Sequence, residues 1–211
     1  MICLAIETTG TVCAVGLRRP GFEDLIEAPE IGRGHAEKLA PMVDALLSGA
    51  GIQASQIDRI GVAIGPGSFA GTRVGVAFAR GLALACHAGV VGLSNLAAIA
   101  HEHQTVRPLV VAHDARRDEL ILQIFRETET TDPIRLTVDE IPAWLGHQDL
   151  AGARVAGSGS SMLALPSLPR ADHPDMTALL DLTMALDPTE HPASPFYARP
   201  PDAKLPGGVD V

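Results

Sequence analysis

Apolar positions along the chain follow two alternating periods, one suited to strands and one to helices. Residues 2–6 and 12–17 are short runs of β-forming residues around Thr8-Thr9-Gly10-Thr11, which predicts a tight hairpin. A third strand near 22–27 precedes a loop marked by Gly32 and Gly34. From His35 to about Ser48, Leu39, Met42, Val43, Leu46 and Leu47 recur at helical spacing, and Gly49 and Gly51 stop the helix. Residues 60–64 read as a buried strand, followed by the turn Gly65-Pro-Gly-Ser-Phe-Ala-Gly71 and a helix over about 71–86. A strand at 90–93 and a helix at 95–103 complete a first half of order βββαβαβα. The second half restarts with strands at 108–112 and 120–126 around a charged turn, His113 to Glu119. A polar loop (127–133), a strand (134–138), a helix around Trp144, a strand (153–157), a Gly/Ser turn and a helix at 175–186 follow. The tail from Pro188 holds six prolines and reads as extended. Two hairpin-led α/β halves, 1–105 and 106–211, predict a duplicated two-subdomain architecture without an internal sequence repeat.

Composition narrows the function. The chain has 211 residues, 46% hydrophobic and 19% charged, enough for a sizeable core. Its formal net charge is −9, with seven Lys/Arg against nine Asp/Glu in 1–105 and nine against sixteen in 106–211. The basic footprint of an autonomous nucleic-acid binder is missing, so a role on RNA would need phosphate contacts from another subunit. Cys3, Cys13 and Cys86 each sit in an apolar run and read as reduced thiols of a cytoplasmic protein. No basic residue precedes Arg18 and Glu7 interrupts the start, so a signal peptide is not expected. Residues 81–100 carry no formal charge, but His87, Ser94 and Asn95 break them into helix, strand and helix rather than a membrane span of about 20 residues.

Several motifs carry candidate chemistry. Gly65-Pro-Gly67-Ser-Phe-Ala70 fits G-x-G-x-x-G/A, yet no Asp or Glu lies between Asp58 and Glu102 to hold a ribose. A phosphate-binding loop of the G-K-T type fails for want of a Lys, and a strand-to-helix turn with Ser68 near the helix start is the better reading. In the next helix Gly71, Gly75, Ala79 and Ala83 fall every fourth residue and form a ridge without bulk. Such a ridge packs either on the chain's own sheet or against a partner helix, and the spacing leaves both open. His101-Glu-His103 reads as a helix end, because its histidines lie on different sides of a helix. Residues 157–161, Gly-Ser-Gly-Ser-Ser, read as a flexible turn with a phosphate-facing alternative. No nucleophile, base and orienter assemble, and no metal site is expected.

Three segments then become recognisable: residues 2–9 (ICLAIETT), 34–41 (GHAEKLAP) and 65–75 (GPGSFAGTRVG). With Asp114 to Glu119 and the tail Pro195-Phe-Tyr-Ala-Arg199, they resemble the TsaB (YeaZ) family in order and spacing over nearly the whole chain. The resemblance implies an actin/Hsp70-like (ASKHA, ribonuclease H-like) α/β fold of two subdomains. It also implies a non-catalytic accessory subunit in making threonylcarbamoyladenosine on tRNA. Such a subunit binds a TsaD-like catalytic paralogue, the pair recruits a TsaE-like ATPase, and it forms a homodimer when alone. It touches tRNA only indirectly. The implied interface lies on the helices at 35–48 and 71–86, through His35, Glu37, Leu39, Met42, Gly71, Arg73, Val74, Gly75, Phe78, Ala79 and Leu82. On this reading the glycine/alanine ridge receives the partner. The catalytic paralogues carry a helical His pair for metal, whereas here Leu39 follows a lone His35. The family usually places Asp where Glu7 stands, and Ala70, Thr72 and Leu120-Ile121 also depart from its pattern. The alternative is a weak ATP-binding or glycoprotease-type enzyme, with ATP or ADP and Mg at a vestigial site of Glu7, Thr9 and Ser158.

Overall fold

A computed structural model describes residues 1–169 and 173–197. Its elements, in order, are β1 (Cys3–Glu7), β2 (Ala14–Arg18), β3 (Leu25–Glu27), α1 (His35–Ala50), β4 (Arg59–Gly65), α2 (Phe69–Cys86), β5 (Gly89–Ser94) and α3 (Asn95–Glu102). They continue with β6 (Leu109–Asp114), β7 (Glu119–Phe125), β8 (Ile134–Thr137), α4 (Ile141–Gly146), β9 (Arg154–Ala156) and α5 (Met176–Ala185).

The strands form two sheets, of order β3-β2-β1-β4-β5 and β8-β7-β6-β9. In each, two antiparallel pairings lead into a parallel strand, β4 beside β1 and β9 beside β6. The duplicated α/β architecture expected from the two hairpin-led halves is therefore present, and it is the two-subdomain class implied by the resemblance.

Strand β1 shows why the run Cys-Leu-Ala-Ile is continuous rather than alternating. Leu4 and Ile6 face the core under α1 and α2, while Cys3 and Ala5 face the core under α5. A strand buried on both faces needs apolar residues at every position. Helix α3 lies between the sheets, with Ala98 in the α5 core and Leu96 and Ile99 packed on Leu109, Val111 and Ile121 of the second sheet. The far face of that sheet is covered by Ile141, Trp144 and Leu145 of α4.

Two expectations change here. The β1–β2 connection is not a tight hairpin, since Glu7 pairs with Ala14 and leaves a six-residue link, 8–13. That link has other partners: Cys13 N donates to Pro29 O at 3.1 Å and Ile31 N donates to Thr11 O at 3.0 Å. The chain after residue 173 also leaves the second sheet, because α5 packs across β1, β2 and β4 and Ala193 joins the α1–α2 core. Tail residues 198–211, Arg199 among them, lie outside the described residues.

Candidate partner-binding face and cleft

Helix α2 is built to lie close on its sheet. Ser68 caps it, its Oγ accepting from Gly71 N at 3.2 Å. The ridge Gly71, Gly75, Ala79, Ala83 is buried against this chain's own strands. A Cβ at Gly71 would occupy the place of the Thr8 carbonyl oxygen, and one at Gly75 would strike Thr8 Oγ1 and reach 3.4 Å from Val62 Cγ2. The Thr8 hydroxyl in turn donates to Gly71 O at 2.8 Å. The ridge is thus a seat for the β1–β2 link, and its assignment to a partner helix is corrected.

His35 and Leu39 also point inward. His35 Nε2 meets Val12 O at 3.1 Å, and Leu39 is buried in the core. Of the eleven interface residues expected, Gly75, Ala79 and Leu39 are therefore buried within this chain, and His35 and Gly71 reach the surface only at the cleft between the two halves. Glu37 and Arg73 are exposed, and Met42, Val74, Phe78 and Leu82 are half-buried between α1 and solvent.

The outward face of α2 carries a second stripe that sequence reasoning missed. Ala77, Gly81 and Ala85 are exposed, Leu84 is 80% exposed, and a Cβ at Gly81 would meet nothing within 4 Å. Glycine inside a helix costs about 1 kcal/mol against alanine. Nothing among the described residues uses the room that Gly81 leaves. Its spacing of four from Ala77 and Ala85 was the available signal. Only Arg73 and Arg80 are charged in the whole helix. By length and mean hydropathy (1.2) α2 is long enough to cross a membrane, but its inner stripe is core.

At the N-terminal ends of α1 and α2 a cleft of about 950 Å³ opens between the two halves. Thr9, Gly34, Glu37, Ser68, His113, Asp114 and Ser158 line it, with Phe196 and Tyr197 at its edge. Glu7 does not line it. Its carboxylate is wholly buried, Oε1 accepting from Thr9 N and from Thr9 Oγ1, the latter at 2.6 Å. Burial raises its pKa, against the lowering effect of the Thr9 hydrogen bonds. Asn95 completes the pin, Nδ2 donating to Thr9 Oγ1 at 2.6 Å and to Pro66 O at 3.1 Å. The sequence pattern marked Asn95 only as a break in the uncharged run 81–100, not as part of a site. Glu7 is a loop anchor, which corrects its place in a vestigial nucleotide site.

Ser158 does face the cleft, but its turn is not flexible. Gly157 has φ +97°, and a Cβ there would strike the Ala112 carbonyl oxygen. Ser158 Oγ accepts from Asp114 N at 3.0 Å and lies 3.5 Å from His113 Nδ1. Burial lowers the His113 pKa, so the ring is neutral near pH 7. At the cleft edge the Arg73 guanidinium stacks 3.7 Å from the Phe69 ring, and its Nε donates to Tyr197 Oη at 2.9 Å. A nucleotide–magnesium pair, as the family resemblance allows, would meet two carboxylates lining the cleft, Glu37 and Asp114. Among the described residues no group of three His, Cys, Asp or Glu could hold a metal ion, and the Asp114 carboxylate is engaged by Arg116.

A family model described as TsaD, tRNA N6-adenosine threonylcarbamoyltransferase, matches residues 28–181. The chain is 36% identical over 134 residues to the tRNA threonylcarbamoyladenosine biosynthesis protein TsaB of Haemophilus influenzae, covering 61% of this chain and 56% of that protein. The solved YeaZ of Pseudomonas aeruginosa superposes with TM-score 0.76 at 27% identity, over 93% of this chain and 99% of that one. The chain belongs to the TsaB/YeaZ family. An uncharacterised protein of Mycobacterium tuberculosis is 32% identical over 207 residues, 95% of this chain and 93% of that one. The match spans little more than half of the H. influenzae TsaB, whereas it spans almost all of the M. tuberculosis relative and of YeaZ.

Proposed function

We propose that this TsaB/YeaZ-family chain is a non-catalytic accessory subunit of tRNA threonylcarbamoyladenosine synthesis in the cytoplasm, seating a TsaD-like transferase on α1 and α2. The observation that carries this reading is the open stripe Ala77, Gly81, Ala85 beside Phe78 and Leu82. A helix face with an open glycine and alanine stripe and an exposed leucine beside it suits close approach of a second helix, and exposed apolar surface of this kind marks interaction sites. Alone, the chain would pair with itself through the same face, and a TsaE-like ATPase would join the heterodimer. The chain's net charge of −9 leaves tRNA phosphates to the partner. The absence of its own chemistry is supported by Glu7, whose carboxylate is committed to Thr9 rather than to the cleft.

Gly81→Leu tests the reading, because a Cβ added there has no atom of the described residues within 4 Å and the side chain starts into open space. The variant should keep its circular-dichroism spectrum and melting temperature yet fail to co-purify with a co-expressed TsaD-like subunit. Wild-type recovery of the pair would refute the face. Calorimetry with Mg-ATP on the lone chain tests the other half, and tight stoichiometric binding would overturn the non-catalytic reading.

A further inference from the structure

The chain guards three of its four sheet edges. The tail covers the free side of β5, with Gly92 N donating to His191 O at 2.9 Å. Residues 166–168 close the free side of β9, through Val155 N to Pro166 O at 3.0 Å and Leu168 N to Val155 O at 2.8 Å. Edge strand β8 carries Arg135, and a cation on an edge deters strand pairing. Strand β3 has none of these devices. Among the described residues it pairs with β2 alone, all three of its residues are exposed, and it holds neither Lys, Arg nor Pro.

Its surroundings are apolar and acidic. Ile26 is 42% exposed and Leu25 36%. Between β3 and the C-terminal half of α1 runs a groove of about 280 Å³ lined by Leu25, Ile26, Glu27, Ala45, Leu46 and Gly49. Glu23, Glu27, Glu30 and Asp44 are exposed around it, and no Lys or Arg occurs between Arg19 and Arg33. Arg19 is turned away, its Nη1 donating to Ala50 O at 2.8 Å and its guanidinium stacked 3.7 Å from the Phe22 ring.

We propose that the β3 edge is a docking site for an extended, basic peptide segment of another protein, which adds as a strand beside β3 and lays an apolar side chain in the groove. Strand addition supplies backbone hydrogen bonds for affinity and uses alternate side chains for specificity. Charge selects this occupant over a second copy, because pairing β3 with β3 would bring two copies of the acidic stretch Glu23, Glu27 and Glu30 together, and like charges close to one another destabilise a pair. The site lies off the α2 stripe and does not depend on it.

The probe is an acetylated, amidated hexapeptide of alternating Lys and Val, with its Glu/Val counterpart as control, titrated into the full chain. The basic peptide should bind saturably and slow amide exchange at residues 25–27. Its affinity should fall about tenfold between 50 and 500 mM salt, as screening requires. Ile26→Lys and Glu27→Lys, both at exposed positions, should each weaken it about tenfold without altering the melt. The proposal is overturned by no saturable binding at millimolar peptide, by equal binding of the acidic control, or by self-association that Ile26→Lys abolishes.

Discussion

Two glycines on one helix, six residues apart, should respond to the same substitution with opposite signs. At Gly75 a methyl group collides with Thr8 Oγ1 and presses within 3.4 Å of Val62. Relief requires Thr8 to turn, which breaks its buried 2.8 Å hydrogen bond to Gly71 O. Losing a buried hydrogen bond costs about 1–3 kcal/mol and overpacking a further 1–3 kcal/mol, against about 1 kcal/mol gained in helix propensity. Gly75→Ala should therefore destabilise by about 2–4 kcal/mol. At Gly81 the methyl meets nothing, so only the propensity gain of about 1 kcal/mol remains. For a chain of this size 1 kcal/mol shifts the melting temperature by about 2–4 °C. Calorimetry should place Gly75→Ala roughly 5–12 °C below wild type and Gly81→Ala a few degrees above. A Gly75→Ala variant as stable as wild type would refute the seating of α2 on Thr8.

Two further perturbations probe what holds the cleft and α5 in place. Burial raises the Glu7 pKa, so the folded state keeps this proton longer than the unfolded chain. Its contribution to stability is complete below the ordinary glutamate value of 4.5 and is lost as pH rises through the folded value. Glu7→Gln should flatten that loss, and urea midpoints that fall in parallel for both proteins from pH 5 to 8 would contradict it. Arg59 Nη1 donates to the carbonyls of Thr183, Met184 and Leu186 at 3.2, 3.1 and 2.8 Å, closing the C-terminal end of α5. Arg59→Ala should cost about 2 kcal/mol and speed amide exchange in α5 roughly thirtyfold, and unchanged protection there would exclude the cap.

The strands and helices were legible because each is long enough to display its period. What the periods could not supply was direction. Helix α2 carries two stripes of small residues, and spacing alone does not say which meets the sheet. The answer depends on Thr8, more than sixty residues away in the chain. Glu7 misled for a related reason. The run 2–6 leaves it in the turn, whereas it ends β1 and its carboxylate curls back onto Thr9, which follows from the path of the link 8–13 rather than from residue type. The turn at 157–161 looked flexible because glycine and serine usually are, whereas here Gly157 is required by a positive φ and by close approach to Ala112. The return of the tail to the first sheet had no local signal at all. It rests on contacts of α5 and Ala193 with strands that precede them by more than ninety residues.

The two halves share a strand plan but not a helical cover of the same size. Both have a glycine of positive φ at the end of the parallel strand, Gly65 at +103° and Gly157 at +97°. In the first half that strand leads into the 18-residue α2, which lies beside the 16-residue α1. At a rise of about 1.5 Å per residue these helices are about 25 Å long, and two side by side, each about 10 Å across, present on the order of 500 Å². That is most of the roughly 800 Å² each partner contributes to a standard interface. In the second half β9 leads only into a 3₁₀ turn, Ser160–Met162, and the covering helix α4 has six residues, about 9 Å. The second half also holds sixteen of the twenty-five acidic residues. Among the described residues a helical face of that size is therefore present on the first half alone, and the partner docking proposed above makes no use of the acidic half.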